Sequence, residues 1–245
     1  MLISIVVPAF NEEAYIGETL KSLNRAMELF KLKMGLDAEI IVVDNASEDS
    51  TAEIARSLGA AIELEMQHNV GRVRNSGERV SHGDVLVFVD ADTVVPETLL
   101  TSIASRMSDS SCFGGAVDTD YRPRKFSVHL YLQFWRLAGR LLGMAQGATQ
   151  FCRRDIFLEL QGYDETLFMG EDVDFYWRLK RIAKRQNGIV SFIENPKVMP
   201  SPRRFDQWGL WRTLVWTNPL FILLFKRRRS CWSGWYKTAP RGQRG

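Results

Sequence analysis

The chain alternates short apolar runs of strand character with longer stretches of helical spacing, and this alternation limits the folds open to it. Leu2–Val7, Ala38–Val43, Ala61–Leu64 and Asp84–Val89 are such runs, the last apolar after its first residue. Continuous runs of this kind read as strands buried on both faces. Between them, Tyr15–Leu32 places Ile16, Leu20, Leu23, Met27 and Phe30 at helical intervals. A helix through Leu58 follows the second run, with Asp49 or Ser50 as its cap. Asn69-Val70-Gly71 turns into a short helix over Arg72–Val80, and Pro96 opens another reaching about Met107. Strands and helices in this rhythm predict an α/β fold with a doubly wound, mostly parallel sheet flanked by helices.

Three of the strand ends share a chemical character. They carry Asn11 and Glu12, then Asp44, then Asp90 and Asp92. In an open α/β sheet ligands bind outside the carboxyl ends of the strands, so these loops are expected to converge on one crevice. Two carboxylates one residue apart at the end of a buried strand can seat a hard divalent cation that also holds phosphate oxygens. No G-x-G-x-x-G or Walker A pattern occurs, so a nucleotide here would rest on acids, a metal and strand-end backbone.

Composition narrows the classes further. The 245 residues carry 45% hydrophobic and 25% charged side chains, ordinary for a folded protein with a sizeable core. Cys112, Cys152 and Cys231 follow no disulfide or zinc spacing, which suits a reducing compartment. No basic segment precedes the apolar Leu2–Val7, which stops at Pro8 and reads as a strand, not a signal peptide. The net charge of +3 hides an asymmetry. Arg203–Gly245 holds ten Lys/Arg against one acid, a net of +9, while the preceding part, with 22 against 28, stands at −6. A basic segment of this kind can meet anionic lipid or nucleic acid, or serve solubility alone.

The second half changes pattern. Cys112–Asp120 reads as a strand, and Gly147–Arg154 as a lead into a helix. His129–Leu142 is amphipathic, with a stripe of Leu130, Phe134, Leu137 and Leu141 widened by Tyr131, Trp135 and Ala138, and with Gln133, Arg136 and Arg140 opposite. Two readings stand for it: a helix facing the core, or one lying on a membrane. Gly170-Glu171-Asp172-Val173-Asp174 opens a helix to about Gln186; Asp174 and Arg178 are spaced to pair, leaving Glu171 and Asp172 for other work. From Gln207 to Phe225 the chain is rich in Trp, Leu and Phe, but its longest uncharged run, Thr213–Phe225, is too short to span a bilayer. Lys226-Arg227-Arg228-Arg229 and the aromatics Trp232, Trp235 and Tyr236 follow. This segment suits a helix in a membrane surface, or one docked on the body or on a second subunit of a homodimer.

Five of these stretches, in this order, resemble the motifs of the family 2 glycosyltransferases, over about residues 2–205. They are Val6–Glu13, Val42–Thr51, Asn69–Gly77, Val89-Asp90-Ala91-Asp92 and Gly170–Asp174. The resemblance implies the GT-A fold, with 1–110 as a nucleotide-sugar half and 111–205 as an acceptor half. Residues 206–245 would then be a basic, aromatic helical extension. It also implies roles. Pro8, Phe10, Asn11 and Glu12 would line the nucleotide pocket, and Asp44 would accept a hydrogen bond from the base. Arg72 and Asn75 lie in the stretch that closes over the nucleotide. Asp90 would contact the ribose or the metal shell, and Asp92 would bind Mg or Mn. Asp172 would be the general base, with Glu171 shaping the acceptor site. Asn45 stands where the family often has an acid.

Ser201-Pro202-Arg203-Arg204 resembles an S-x-R-R element of some members. Many relatives place a metal-binding His after the acidic motif, and here no His follows His129. Arg203 and Arg204 could meet the diphosphate in its stead.

The expected reaction is metal-dependent single displacement with inversion. It would move a sugar from a UDP-sugar, or secondly GDP-mannose, to an acceptor hydroxyl or phosphate, free or lipid-linked. The expected place is cytoplasmic, peripheral on the inner face of the membrane through 129–142 and 207–236, with no nucleic-acid partner. A sugar-phosphate nucleotidyltransferase would need a Gly-rich loop after the first strand, which Pro8–Glu13 lacks. An inactive nucleotide-sugar-binding protein is the other alternative, against which the intact Asp90, Asp92 and Asp172 speak.

Overall fold

The computed structural model describes residues 1–141, 148–208, 210–228 and 230–231. Strands β1 (Ile3–Ala9), β2 (Ala38–Asp44), β3 (Ala61–Leu64) and β4 (Val85–Val89) alternate with helices α1 (Ile16–Met34), α2 (Thr51–Ser57) and α3 (Val70–Arg79). A short β5 (Thr93–Val94) and α4 (Leu99–Met107) follow, then β6 (Cys112–Thr119), α5 (Phe126–Leu141), β7 (Thr149–Arg153) and α6 (Arg154–Glu159). The chain continues through α7 (Glu171–Arg185), β8 (Ile189–Pro200), α8 (Arg203–Gln207), α9 (Leu210–Trp216) and α10 (Pro219–Phe225).

One sheet runs β3-β2-β1-β4-β7-β6-β8-β5. β3, β2, β1 and β4 are parallel, β7 is antiparallel to both β4 and β6, and β8 runs parallel to β6. Successive side chains of a strand point to opposite faces. Accordingly Ile3, Ile5, Val7, Val85, Val87 and Val89 join α1 and α4 in one core. Val6, Leu86 and Phe88 join α3, α6 and α7 in the other. Both faces are covered, which is why these strands are apolar throughout. Gly77 lets α3 lie against the sheet: a Cβ there would come within 2.3 Å of Val6 Cγ1 and 2.9 Å of Val43 Cγ2. Gly77→Ala is therefore expected to cost about 1–3 kcal/mol through overpacking, read by chemical denaturation.

The first half matches expectation closely, with β3 at the predicted residues and Asn69 capping α3 by accepting a hydrogen bond from Arg72 N–H at 2.8 Å. The second half departs from it. Thr149–Arg153 leads into α6 as expected, but does so as a strand in the middle of the sheet, and Ile189–Pro200 forms a strand that sequence reading left unassigned. Of the two readings of α5, the core-facing one is corrected: Leu130, Phe134 and Leu137 face solvent, while Val128 and Leu132 are buried. The cause lies on β6. Asp118 is 2% exposed and meets Arg136 at 3.5 Å and Lys197 at 3.7 Å, so a buried carboxylate turns Arg136 inward. The Asp174–Arg178 pair forms as spaced, at 2.7 Å. The described part of the C-terminal segment touches the body. Tyr131 Oη and Thr217 Oγ1 are 2.6 Å apart, Phe168 N–H donates to Lys226 C=O at 2.7 Å, and Arg227 pairs with Asp164 at 3.6 Å. Among the described residues no helix is long and apolar enough to cross a membrane. Trp232, Trp235, Tyr236 and the rest of the expected tail lie outside the described residues.

Candidate active site

A cavity of about 280 Å³ opens at the carboxyl ends of β1 and β4. Pro8 enters it from the end of β1, Phe10 and Glu12 from the loop that follows, and Asp90 and Asp92 from just beyond β4. Glu171 and Asp172 come from the first turn of α7, and Arg203 and Arg204 from the start of α8. Residues spread over almost 200 positions thus share one wall-to-wall space. β7 is what allows this. Its antiparallel insertion beside β4 puts Gln150 under the α7 N-terminus, where its amide donates to Asp172 C=O at 3.0 Å. Gln150 Oε1 accepts from Tyr163 Oη at 3.1 Å, so a buried amide sets the height of the acidic turn.

Four expected residues sit beside the cavity, not on its lining. Asn11 joins the first two loops, its side-chain oxygen accepting from Glu48 N–H and its own N–H donating to Ser47 Oγ. Asp44 is buried and accepts from Ser47 N–H at 3.1 Å. Arg72 spans Glu65 at 3.1 Å and Glu165 at 3.0 Å. Asn75 binds both the N–H and the C=O of Tyr163. Arg72 and Asn75 here tie α3 to the Tyr163–Leu167 turn, and Asn69 does the same through the carbonyls of Glu165 and Leu167. In place of Asp44, Asn45 lines the cavity, its amide held by the carbonyls of Glu65 and Gln67. Its oxygen lies 3.2 Å from His68 Nδ1, and that ring sits 4.6 Å from the Phe10 ring.

The residue that sequence reasoning missed is Arg74. It is buried, bonds Asp90 Oδ1 and Glu171 Oε1 at 2.9 Å each, and stacks over the Tyr163 ring at 5.1 Å. Burial pulls its pKa down, yet Tyr163, Asp90 and Glu171 hold it above the usual guanidinium value. A clue was present in the run Arg72-Val73-Arg74, where one-residue spacing puts two arginines on different helix faces. Tyr121 was missed too; it lines the cavity with Phe205, their rings edge-on at 5.5 Å.

The acids differ in character. Burial, with Asp92 nearby, pushes Asp90 up to about 6 although Arg74 opposes the shift. Burial and the adjacent Glu171 push Asp172 up to about 7, again against Arg74. Desolvation and the neighbouring carboxylate here outweigh the helix N-terminus, which favours the ionised form. Asp92 meets Arg203 at 3.2 Å, and Arg203 also binds Glu12 and stacks over Tyr15 at 4.3 Å. The arginine assigned to a diphosphate is therefore held on the carboxylate assigned to a metal. Two carboxylates are the number a hard cation commonly takes from a protein when substrate phosphates complete its shell, so Asp90 and Asp92 fit such an ion. No group of three or more His, Cys, Asp or Glu side chains converges among the described residues.

An α/β sheet of this order, with acids at the ends of β4 and at the start of α7, defines a protein of the GT-A class. TarS from S. aureus superimposes with a TM-score of 0.61 at 19% identity, covering 84% of this chain and 62% of TarS. The mannosyltransferase PcManGT from Pyrobaculum calidifontis, in complex with GDP-Man and Mn2+, gives 0.58 at 21%, covering 80% and 56%. Glucosyl-3-phosphoglycerate synthase from Mycobacterium tuberculosis gives 0.59 at 18%, covering 92% and 79%. These likenesses are of fold. The sequence pattern of Glycosyl transferase family 2 matches residues 4–160, and the chain belongs to that family. Glycosyltransferase AglE of Haloferax volcanii is 28% identical over 184 residues, 70% of this chain and 59% of that protein. An undecaprenyl-phosphate 4-deoxy-4-formamido-L-arabinose transferase of Pseudomonas aeruginosa is 28% identical over 123 residues, 47% of this chain. The match spans only 35% of the Pseudomonas protein's length.

Proposed function

We propose that the protein transfers a sugar from a nucleoside-diphosphate sugar to an acceptor hydroxyl or phosphate by single displacement with inversion. The observation that carries this reading is the meeting of Asp90 and Asp92 with Asp172 in one cavity, from chain positions some 80 residues apart. A UDP-sugar is the preferred donor and GDP-mannose the second, in line with family membership. The acceptor is lipid-linked and the protein works at a membrane surface.

Each residue has a task. Phe10, with His68 behind it, offers an apolar face to the base, and Asn45 a polar edge. Asp90 and Asp92 would hold Mg or Mn, and a cation bound there supplies positive charge to the departing diphosphate. Arg203 and Arg204 add guanidinium charge at the same end. Asp172 takes the proton of the acceptor hydroxyl as it attacks, and Arg74 keeps the acid cluster from repelling itself. Gln150 fixes the backbone that carries Asp172. Residues 1–110 serve the donor and 111–205 the acceptor, except that Arg203 and Arg204 reach back to the donor's diphosphate.

The test is a thermal-shift screen of nucleotide sugars with and without Mn, since a ligand of the native state raises apparent stability. A metal-dependent rise with a UDP- or GDP-sugar, lost in Asp92→Asn, is the expected result. No shift with any donor would overturn the reading. Replacing Arg203 and Arg204 by Lys is expected to weaken donor binding by about tenfold, because Lys cannot reproduce a two-pronged contact; unchanged affinity would remove them from the diphosphate.

A further inference from the structure

The α5 stripe has no use in the site and no cover among the described residues. Phe126, Leu130, Phe134 and Leu137 recur at helical spacing and are 73%, 54%, 61% and 62% exposed. Soluble surfaces rarely carry so many large apolar side chains in one line. On α9, Trp211 is 79% exposed, and on α10 Leu224 is 73% exposed.

The charge that these helices and their flanks carry is positive, with Arg136, Arg227 and Arg124 paired to Asp118, Asp164 and Asp206. α5 contains no Asp or Glu, and none occurs after Asp206. Arg124, just before α5, is 91% exposed along its side chain, and Lys226, Arg227 and Arg228 close α10. Apolar side chains rimmed by cations match an acyl boundary beneath anionic headgroups. A second copy is the weaker occupant, because it would bring two segments of +9 each together.

Both elements adjoin the cavity. Tyr121 and Phe205 line it, and α5 starts five residues after Tyr121, with Lys125 Nζ bonded to Trp208 C=O. Phe168 and Met169 line it from the other side, where Phe168 is tied to Lys226. We infer that Phe126, Leu130, Phe134 and Leu137 insert into an anionic bilayer surface, holding the cavity mouth against the membrane that carries the acceptor. The last clause rests on the transferase reading; the surface does not.

The experiment is sedimentation of the full chain with vesicles of phosphatidylcholine alone or mixed with phosphatidylglycerol. The parent is expected to pellet with the anionic vesicles and less so at raised salt. Combining Phe126→Ser, Leu130→Ser, Phe134→Ser and Leu137→Ser should weaken this by about tenfold or more. The variant's melting temperature and nucleotide binding should be unchanged, since exposed side chains leave no cavity behind. Arg124→Gln with Arg227→Gln should lessen the preference for phosphatidylglycerol. Undiminished pelleting of the serine variant overturns the proposal. So does equal binding of the parent to both vesicles, or a parent dimer that the serine changes dissolve without affecting vesicle binding. Nucleotide binding is read separately. A parent that binds vesicles but no nucleotide overturns the transferase reading alone, and the converse overturns the surface alone.

Discussion

Asp172→Asn is expected to lower sugar transfer by about 10²–10⁴-fold, the range a positioned general base contributes. Metal-dependent binding of the donor should persist, because the donor end of the cavity is built from the β1 and β4 loops. Separate measurement of turnover and of nucleotide affinity decides this; normal transfer by the variant would remove Asp172 from the reaction. The parent enzyme carries a pH signature of the same residue. Burial and Glu171 hold Asp172 up at about 7. A base must be deprotonated to work, so activity should fall by about tenfold per pH unit below that value and level off above it. Glu171→Gln removes a negative neighbour and leaves Arg74 closer to unopposed. Both changes favour the ionised Asp172, so the acid limb should move to lower pH.

Arg74→Ala is the second large effect. The buried guanidinium faces Asp90 and Glu171 at 2.9 Å each. Removing it leaves two carboxylates without their partner, and breaking such a pair costs about 3–5 kcal/mol. Chemical denaturation at neutral pH should show the loss. Part of it should be recovered at low pH, where the orphaned acids take up protons. Arg74 also lowers the pKa of Asp172, so any activity left should show its acid limb at higher pH, opposite to Glu171→Gln. Arg74→Lys keeps a charge but cannot fork to both acids, and should fall between parent and alanine variant.

These two residues mark how far the sequence alone reaches. Asp172 could be read because it sits in a dense acidic run at the start of a helix, and Asp90 and Asp92 because they close an apolar strand. Strands β1 and β4 could be read because burial on both faces leaves little choice but apolar residues. β7 could not. Its sequence Thr-Gln-Phe-Cys-Arg contains a polar residue, Gln150, whose burial is repaid only by Tyr163 and the backbone of Asp172. β8 hid behind Glu194, Pro196 and Lys197. Arg74 hid because its partner Glu171 lies 97 residues away, and no local spacing rule connects them. The inward turn of Arg136 hid for a similar reason, being dictated by a buried acid on another element.

The contact between Arg203 and Glu12 spans 191 residues. A chain leaves the ribosome from its N-terminus, and the first strands can find one another early. The loop after β1 must then wait, with Glu12 unanswered, until Arg203 has been made. The donor pocket is thus a late event in the birth of this protein.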